Sequence, residues 1–180
     1  MSEHLSYVTV NGRHYRWPAA PTVVICLDGS EPGYIETAID KGLAPNLARL
    51  MRDGANLTAL SVIPSFTNPN NLSLVTGRPP AVHGIAGNYF LDPATGEEVM
   101  MNDARFLRAD TIMKAFADAG ARVAVVTAKD KLRSLLAKGL EFASGRAIAF
   151  SAERADAATR GANGIDAALA FVRQPLPAVY

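Results

Sequence analysis

The sequence has a single cysteine, Cys26, among its 180 residues, so no disulfide can form within the chain. One cysteine is typical of a protein kept in a reducing compartment. No apolar run approaches the roughly 20 residues that a membrane-spanning helix needs, and the first residues carry no signal-peptide pattern. We therefore expect a cytoplasmic protein. Because Cys26 lies within an apolar run, we expect it to be a small buried core residue.

An excess of charge of either sign is also missing. Lysine and arginine number 18 against 17 aspartates and glutamates, so the formal net charge is +1. This balance gives no electrostatic reason to expect nucleic acid or an anionic membrane surface as a partner. The chain also lacks a GxxxxGK[ST] phosphate-binding loop and a GxGxxG dinucleotide fingerprint, which excludes the two commonest nucleotide-binding motifs.

What the sequence does contain is an alternation of apolar runs with amphipathic segments. The apolar runs predict buried strands over 22–27, 55–62, 122–126 and 147–150. The amphipathic segments predict helices, of which the first stops at Gly42 and the others span 45–53, 111–119 after Asp110 as the cap, and 165–173. Strands and helices in alternation are typical of a parallel sheet with right-handed crossovers.

Two short hairpins interrupt this pattern. The first spans residues 7–17 around an Asn11-Gly12 type I′ turn, and the second spans 89–101. We therefore expect an α/β fold with a doubly wound, mostly parallel sheet and helices on both faces, plus these N-terminal and inserted hairpins. Residues 1–20 are assigned to the N-terminal hairpin and lead-in, and residues 21–180 to the main domain.

The stretch 64–77 carries the most specific local signal. It begins as a turn and becomes a short helix, with Pro69 in the first helical turn and Gly77 at the end. Thr67 is predicted just ahead of the helix N-terminus, where backbone N–H groups and the positive dipole end favour an anion. From these residues alone, Thr67 is either an ordinary N-cap, the commoner role, or a nucleophile that faces a phosphoryl group.

Other candidates follow the ends of predicted strands, the edge at which open α/β sheets bind ligands. Asp28 is either a turn former or an oxygen ligand for a metal ion. Lys129 and Lys131 are either a clamp for an anion or a solvated pair that begins the next helix.

The proline- and glycine-rich loop 78–88 has no helical or strand periodicity, which favours a functional loop. In it, His83 is expected to hydrogen-bond the loop backbone rather than to bind a metal. Asn88 offers a neutral amide donor that suits a phosphoryl oxygen.

Four groups of residues, in order along the chain, carry a family resemblance: Leu27-Asp28-Gly29, the stretch 44–50, the stretch 64–71 with Thr76-Gly77, and His83-Gly84-Ile85 with Asn88. Together they resemble the alkaline phosphatase superfamily, in the branch that holds the nucleotide pyrophosphatases/phosphodiesterases and the phosphonoacetate hydrolases. The segment 67–71, taken with Lys129 and Lys131, is most similar to the phosphonoacetate hydrolases. The resemblance extends over essentially the whole chain, as the N-terminal part of a longer enzyme.

This resemblance implies a hydrolase with two zinc ions that cleaves the carbon–phosphorus bond of phosphonoacetate, a small-molecule phosphonate, to acetate and phosphate. Thr67 matches the nucleophile, which would form a phospho-threonine intermediate, and Thr67 and Asp28 match metal-ligand positions. Asn88 matches the residue that holds a phosphoryl oxygen, and Lys129 and Lys131 match the pair that holds the substrate carboxylate. The resemblance is compatible with a homodimer and does not decide the oligomeric state.

Most of the family's zinc ligands have no counterpart in this sequence. The family uses a downstream Asp-x-x-x-His pair, an Asp-His dipeptide and a late histidine, and neither spacing occurs among the three histidines here. Because each zinc needs roughly three protein ligands, Asp28 and Thr67 alone cannot complete the site. We therefore expect a truncated, alkaline phosphatase-like hydrolase domain that binds zinc weakly and turns over little. The alternatives are a phosphodiesterase or phosphate-ester hydrolase of the same superfamily, which has no need of the two lysines, and a catalytically inactive fragment.

Overall fold

The computed structural model describes residues 7–143 and 145–154, and the predicted helix over 165–173 lies outside them. The chain divides into two compact units, one formed by residues 18–61 and the other by the residues on either side of that segment. Within the described ranges, no helix is long and apolar enough to cross a membrane.

The smaller unit, residues 18–61, contains two helices at the positions that the sequence predicts. Helix α1 spans Pro32–Asp40 and helix α2 spans Pro45–Asp53, and each begins with a proline whose missing N–H would have no partner in the first turn. Gly42 follows α1 with a φ of 69°, and Gly54 is the C-cap of α2. Both boundaries are therefore set by short-range backbone chemistry.

The strands predicted over 22–27 and 55–62 do not form in this chain, so both predictions are wrong. Their side chains are exposed, with Val24 at 86% and Leu60 at 97% of full accessibility. A strand needs a neighbour to complete its backbone hydrogen bonds, and none of the described strands pairs with either segment. Cys26, predicted to be buried, is exposed for the same reason.

In the larger unit, both predicted hairpins are present. Strand β1 (Tyr7–Val10) pairs with β2 (Arg13–Arg16), and Asn11 and Gly12 between them have φ of 50° and 68°, both positive as a type I′ turn requires. Strand β3 (Tyr89–Leu91) pairs in the same antiparallel manner with β4 (Glu98–Met100).

A short helix and a short helical turn complete the region around the second hairpin. Helix α3 spans Thr67–Thr76, and α4 spans Pro80–His83 within the loop that was predicted to lack regular structure. Pro80 at the first helical position suits a helix start, which accounts for α4. A 3₁₀ turn covers Ala104–Phe106.

A strand–helix–strand unit confirms the α/β class. Strand β5 (Val123–Thr127) and strand β6 (Ala147–Ser151) pair in parallel, and helix α6 (Asp130–Leu136) follows β5. Helix α5 (Ile112–Asp118) precedes them, and its cap is Thr111, whose hydroxyl accepts a hydrogen bond from Lys114 N at 3.1 Å. The predicted cap, Asp110, therefore lies one residue too early.

The larger unit has two clusters of buried apolar side chains. The first packs α3 against the hairpin β3–β4 and α6, and it consists of Leu72, Ile85, Met101, Leu107 and Leu135. The second lies against the parallel pair and consists of Val125, Ala137, Leu140, Ala147 and Ala149. The first cluster holds together the elements that carry most of the candidate site.

Candidate active site

Thr67 is the first residue of α3, so the helix begins at this threonine rather than after it. Phe66 is the N-cap residue and makes no side-chain capping hydrogen bond, whereas the side-chain amide of Asn71 donates to the Thr67 carbonyl at 2.9 Å. Gly77 ends the helix in the left-handed conformation, with a φ of 63°. The exposed Thr67 therefore lies at the positive end of a ten-residue helix, the place that the sequence predicted for an anion.

The end of the hairpin β3–β4 connects Asn88 to the start of α3. The Asn88 carbonyl accepts a hydrogen bond from Met101 N at 2.7 Å. The Met101 carbonyl in turn accepts one, at 3.4 Å, from the side-chain amide of Asn68, the neighbour of Thr67. Met101 is buried and Asn88 is exposed, so one buried residue holds the backbone of Asn88 near the N-terminus of α3.

Lys131 contacts the same hairpin from helix α6. Its ammonium nitrogen Nζ lies 3.1 Å from the Met100 sulfur Sδ, and it forms no ion pair within the described ranges. A thioether is a weak, neutral acceptor, so this contact holds the lysine without neutralising its charge. Lys129 occupies the N-cap position of α6 and is exposed. The structure thus brings Thr67, Asn88 and the lysine pair to neighbouring elements of one unit.

Asp28 belongs to the smaller unit. It lies in a turn in which Ser30 N donates to the Leu27 carbonyl at 3.3 Å and Gly29 has a φ of 72°. This geometry agrees with Asp28 as a turn former. Its role as a metal ligand stays a prediction.

The donor set present does not fit a zinc pair by itself. In residues 7–143 and 145–154, no three histidine, cysteine, aspartate or glutamate side chains are grouped so that they could hold a metal ion. Asp28 and Thr67 offer one carboxylate and one hydroxyl, whereas a zinc site uses about three protein ligands per ion, typically with histidine or cysteine among them.

His83 hydrogen-bonds the loop backbone, as the sequence predicted, and it is also buried. Its Nδ1 accepts a hydrogen bond from Ile85 N at 3.2 Å, which places the ring proton on Nε2, 2.9 Å from the Ser73 hydroxyl. The Ser73 hydroxyl donates to the Pro69 carbonyl at 2.8 Å. Burial lowers the pKa of His83, so the neutral form fixes α4 against α3.

Three residues at the site, Asn68, Met100 and Asp130, are not among the predicted site residues. Asp130 lies between the two lysines, and its carboxylate accepts a hydrogen bond from Arg133 Nε at 2.7 Å. The three-residue spacing of this pair on a helix is a signal that could have identified it. No local pattern connects Met100 with Lys131, because 31 residues separate them.

Two solved structures share the fold of this chain. The structures of phosphonoacetate hydrolase from Sinorhizobium meliloti 1021 in complex with phosphonoformate and with phosphonoacetate are 63% identical in sequence and superpose with TM-scores of 0.88 and 0.89. Each match covers 98% of this chain and 42% of that chain, so this chain spans less than half the length of the solved relative. The fold is therefore that of the N-terminal part of an alkaline phosphatase-like enzyme.

Sequence relatives lead to the same family. Ectonucleotide pyrophosphatase/phosphodiesterase 1 of Saccharomyces cerevisiae is 41% identical over 93 residues, which are 49% of this chain and 12% of that protein. The profile of the type I phosphodiesterase / nucleotide pyrophosphatase family matches residues 22–143. The match covers more than half of the sequence, and the chain belongs to the type I phosphodiesterase / nucleotide pyrophosphatase family.

Proposed function

We propose that this chain is the N-terminal part of an enzyme that hydrolyses the carbon–phosphorus bond of phosphonoacetate to acetate and phosphate. The observation that carries the proposal is the placement of the lysine pair on the element next to Thr67 and Asn88, with Lys131 held by a neutral thioether. The 63% identity to a hydrolase solved with phosphonoacetate supports it. Residues 21–180 would then be the N-terminal portion of the hydrolase domain, after the lead-in 1–20.

In this proposal, the Thr67 hydroxyl attacks phosphorus and forms a phospho-threonine intermediate. As the oxygen–phosphorus bond forms, the hydroxyl proton passes to water, the carbon–phosphorus bond breaks, and its electron pair passes to the methylene carbon and into the carboxylate as an enolate. The methylene carbon then takes up a proton from water, and the product leaves as acetate. Lys129 and Lys131 stabilise the charge that grows on that carboxylate, where binding energy lowers the barrier. Asn88 donates from its side-chain amide to a phosphoryl oxygen. Water then hydrolyses the phospho-threonine and releases phosphate.

A metal ion is part of the proposal, and we take zinc as that metal from the family resemblance. Asp28 and Thr67 are the ligand positions that this chain would supply. Because these two donors do not complete a zinc site, we assign no step of the reaction to the metal. The cytoplasmic location, inferred from the low cysteine content, stays a prediction, and so does a homodimer.

The test uses the full-length enzyme, which we define as this chain followed by its own continuation or by the part of the Sinorhizobium hydrolase beyond the matched 42%. We expect it to release phosphate from phosphonoacetate faster than it hydrolyses bis(4-nitrophenyl) phosphate, a diester without a carboxylate. Thr67→Val should lower kcat for both substrates by at least about 1000-fold, because the nucleophile is lost. Lys129→Ala and Lys131→Ala should lower kcat/KM for phosphonoacetate alone.

The second candidate function is phosphodiester hydrolysis, which the family match and the yeast relative favour. A full-length enzyme that prefers the diester, and whose phosphonoacetate turnover survives both lysine substitutions, would establish that function instead. The 180-residue chain alone is expected to release no phosphate, and robust activity from it would contradict the proposal that it is an incomplete part.

A further inference from the structure

The carboxylate of Asp130 is the centre of a hydrogen-bonded network at the start of α6. Oδ1 accepts from Arg133 Nε at 2.7 Å and from the Ser151 hydroxyl at 3.1 Å. The Asp130 side chain is only 17% exposed, so solvent screens these interactions less than it would on an open surface. The hydrogen bond from Arg133 lowers the pKa of Asp130, with Ser151 acting in the same direction against the effect of burial.

The same residue ties the start of α6 to the end of β6. The backbone N–H of Asp130 donates to Glu153 Oε2 at 2.8 Å, and Arg154 Nη1 lies 3.9 Å from Asp130 Oδ2. Ser151 is the last residue of β6 and is fully buried, and Glu153 and Arg154 lie two and three residues after it. Both the backbone and the side chain of Asp130 are therefore anchored to one strand end.

Asp130 stands between Lys129 and Lys131, so its anchors also fix the backbone from which both lysines project. A second bond holds this backbone from the other side, since the Thr127 hydroxyl donates to the Lys129 carbonyl at 2.8 Å. The Asp130 carboxylate forms ion pairs with Arg133 and Arg154. Asp130 thus orders the backbone that carries the lysine pair.

We propose that Asp130 is a positioning residue that sets the specificity for a substrate carboxylate. It does so by fixing the backbone positions of Lys129 and Lys131 relative to each other. The inference rests on the proposed function. Asp130 does not touch the substrate and acts through the two lysines. A long side chain loses less freedom on binding when its backbone is already fixed, so the network favours substrates that both ammonium groups reach together.

The test compares Asp130→Asn with its parent in the full-length enzyme. Asparagine keeps the shape and one acceptor oxygen but loses the charge that holds Arg133. We expect kcat/KM for phosphonoacetate to fall by about 10- to 100-fold, chiefly through KM, because a small misplacement of binding groups costs that much. Hydrolysis of bis(4-nitrophenyl) phosphate, which has no carboxylate, should stay within about twofold of the parent.

Two further variants separate positioning from general damage. Asp118→Asn is the matched control, because Asp118 pairs with Lys114 in the seven-residue helix α5, and it should change neither substrate. Ser151→Ala removes one hydrogen bond to Asp130 and keeps the ion pair. It should lower kcat/KM for phosphonoacetate by about 2- to 5-fold. If Asp130→Asn does not fold, this variant tests the positioning role in its place.

A background without both lysines supplies the decisive readout. If Asp130 acts through Lys129 and Lys131, then Asp130→Asn should have little further effect in the Lys129→Ala/Lys131→Ala enzyme. The inference would be overturned if Asp130→Asn lowered kcat/KM equally for both substrates, or left kcat/KM for phosphonoacetate unchanged. It would also be overturned if the substitution had its full effect in the enzyme that lacks both lysines. A parent enzyme that fails to hydrolyse phosphonoacetate would overturn the proposed function and this inference together, and it is recognised before any variant is made.

Discussion

The imidazole Nε2 of His83 lies 2.9 Å from the hydroxyl oxygen of Ser73, a residue inside the helix that begins with Thr67. His83 is fully buried, and its other ring nitrogen accepts from the backbone of Ile85. A proton on that nitrogen would remove the acceptor and place a charge in the core. The packing of α4 against α3 therefore depends on an uncharged imidazole.

We predict that the full-length enzyme loses stability as the pH falls below 6.5. Burial lowers the pKa of folded His83 below 6.5, the ordinary pKa of a histidine. Between the lowered pKa and 6.5 the unfolded state therefore binds more protons than the folded state, and unfolding becomes easier. Above this window the contribution is fully present. Urea unfolding at a series of pH values measures it.

A substitution at the buried histidine tests the pH effect. His83→Gln should lower the unfolding free energy by about 1–3 kcal/mol at neutral pH and flatten its dependence on pH below 6.5. An equal slope in the His83 variant and its parent would show that another group titrates.

The neutral partner of Lys131 yields a second prediction. Met100→Glu places a carboxylate beside the ammonium group that Met100 Sδ now contacts at 3.1 Å. The new charge would neutralise Lys131 and repel a substrate carboxylate, so kcat/KM for phosphonoacetate should fall by at least about tenfold. Met100→Leu, similar in volume and uncharged, should stay close to the parent. If the glutamate variant keeps full activity, Lys131 does not hold the carboxylate.

Gly77 permits a comparison of two left-handed glycines. It has a φ of 63°, and an added Cβ would overlap the hydroxyl of Tyr15 and lie 3.1 Å from Arg13 Cδ. Gly42, with a φ of 69°, has no atom within 4 Å of such a Cβ. Gly42→Ala should cost about 1 kcal/mol of conformational strain, and Gly77→Ala about 2 kcal/mol or more because overlap is added to strain. Chemical denaturation of both variants measures the difference, and equal losses would refute the packing of β2 on the end of α3.

The exposed apolar segments of the smaller unit predict the behaviour of the isolated 180-residue chain. Val24 and Leu60 are 86% and 97% exposed and lie in β-branched or leucine-rich runs without a pairing strand in the described structure. Such runs associate with other chains through backbone and apolar contacts. We expect concentration-dependent association and binding of a dye specific for apolar surface, both reduced by Val24→Lys with Leu60→Lys. A monomer that binds no dye would contradict this prediction.

Helix boundaries and turns were predictable from the sequence because neighbouring residues determine them. Proline at the first position and glycine after the last one delimit α2, and Asn11-Gly12 determines a turn with two positive φ values. The threonine at the start of α3 was located to within one residue by the same local signals. The family motifs supplied the candidate residues of the site, because the chemistry of these residue types is recognisable without coordinates.

The tertiary structure alone decided which of these residues meet. Lys131 reaches Met100 across 31 positions, and Asp130 is anchored by Ser151 across 21, distances at which no sequence pattern specifies a partner. The apolar run 22–27 carries a strong strand signal, yet it forms no strand, because a strand exists only where a second segment completes its hydrogen bonds. The sequence by itself determined the helices, the turns and the chemistry available at the site, which are local properties. Packing decided the neighbours and the pairing, because those depend on segments far apart along the chain.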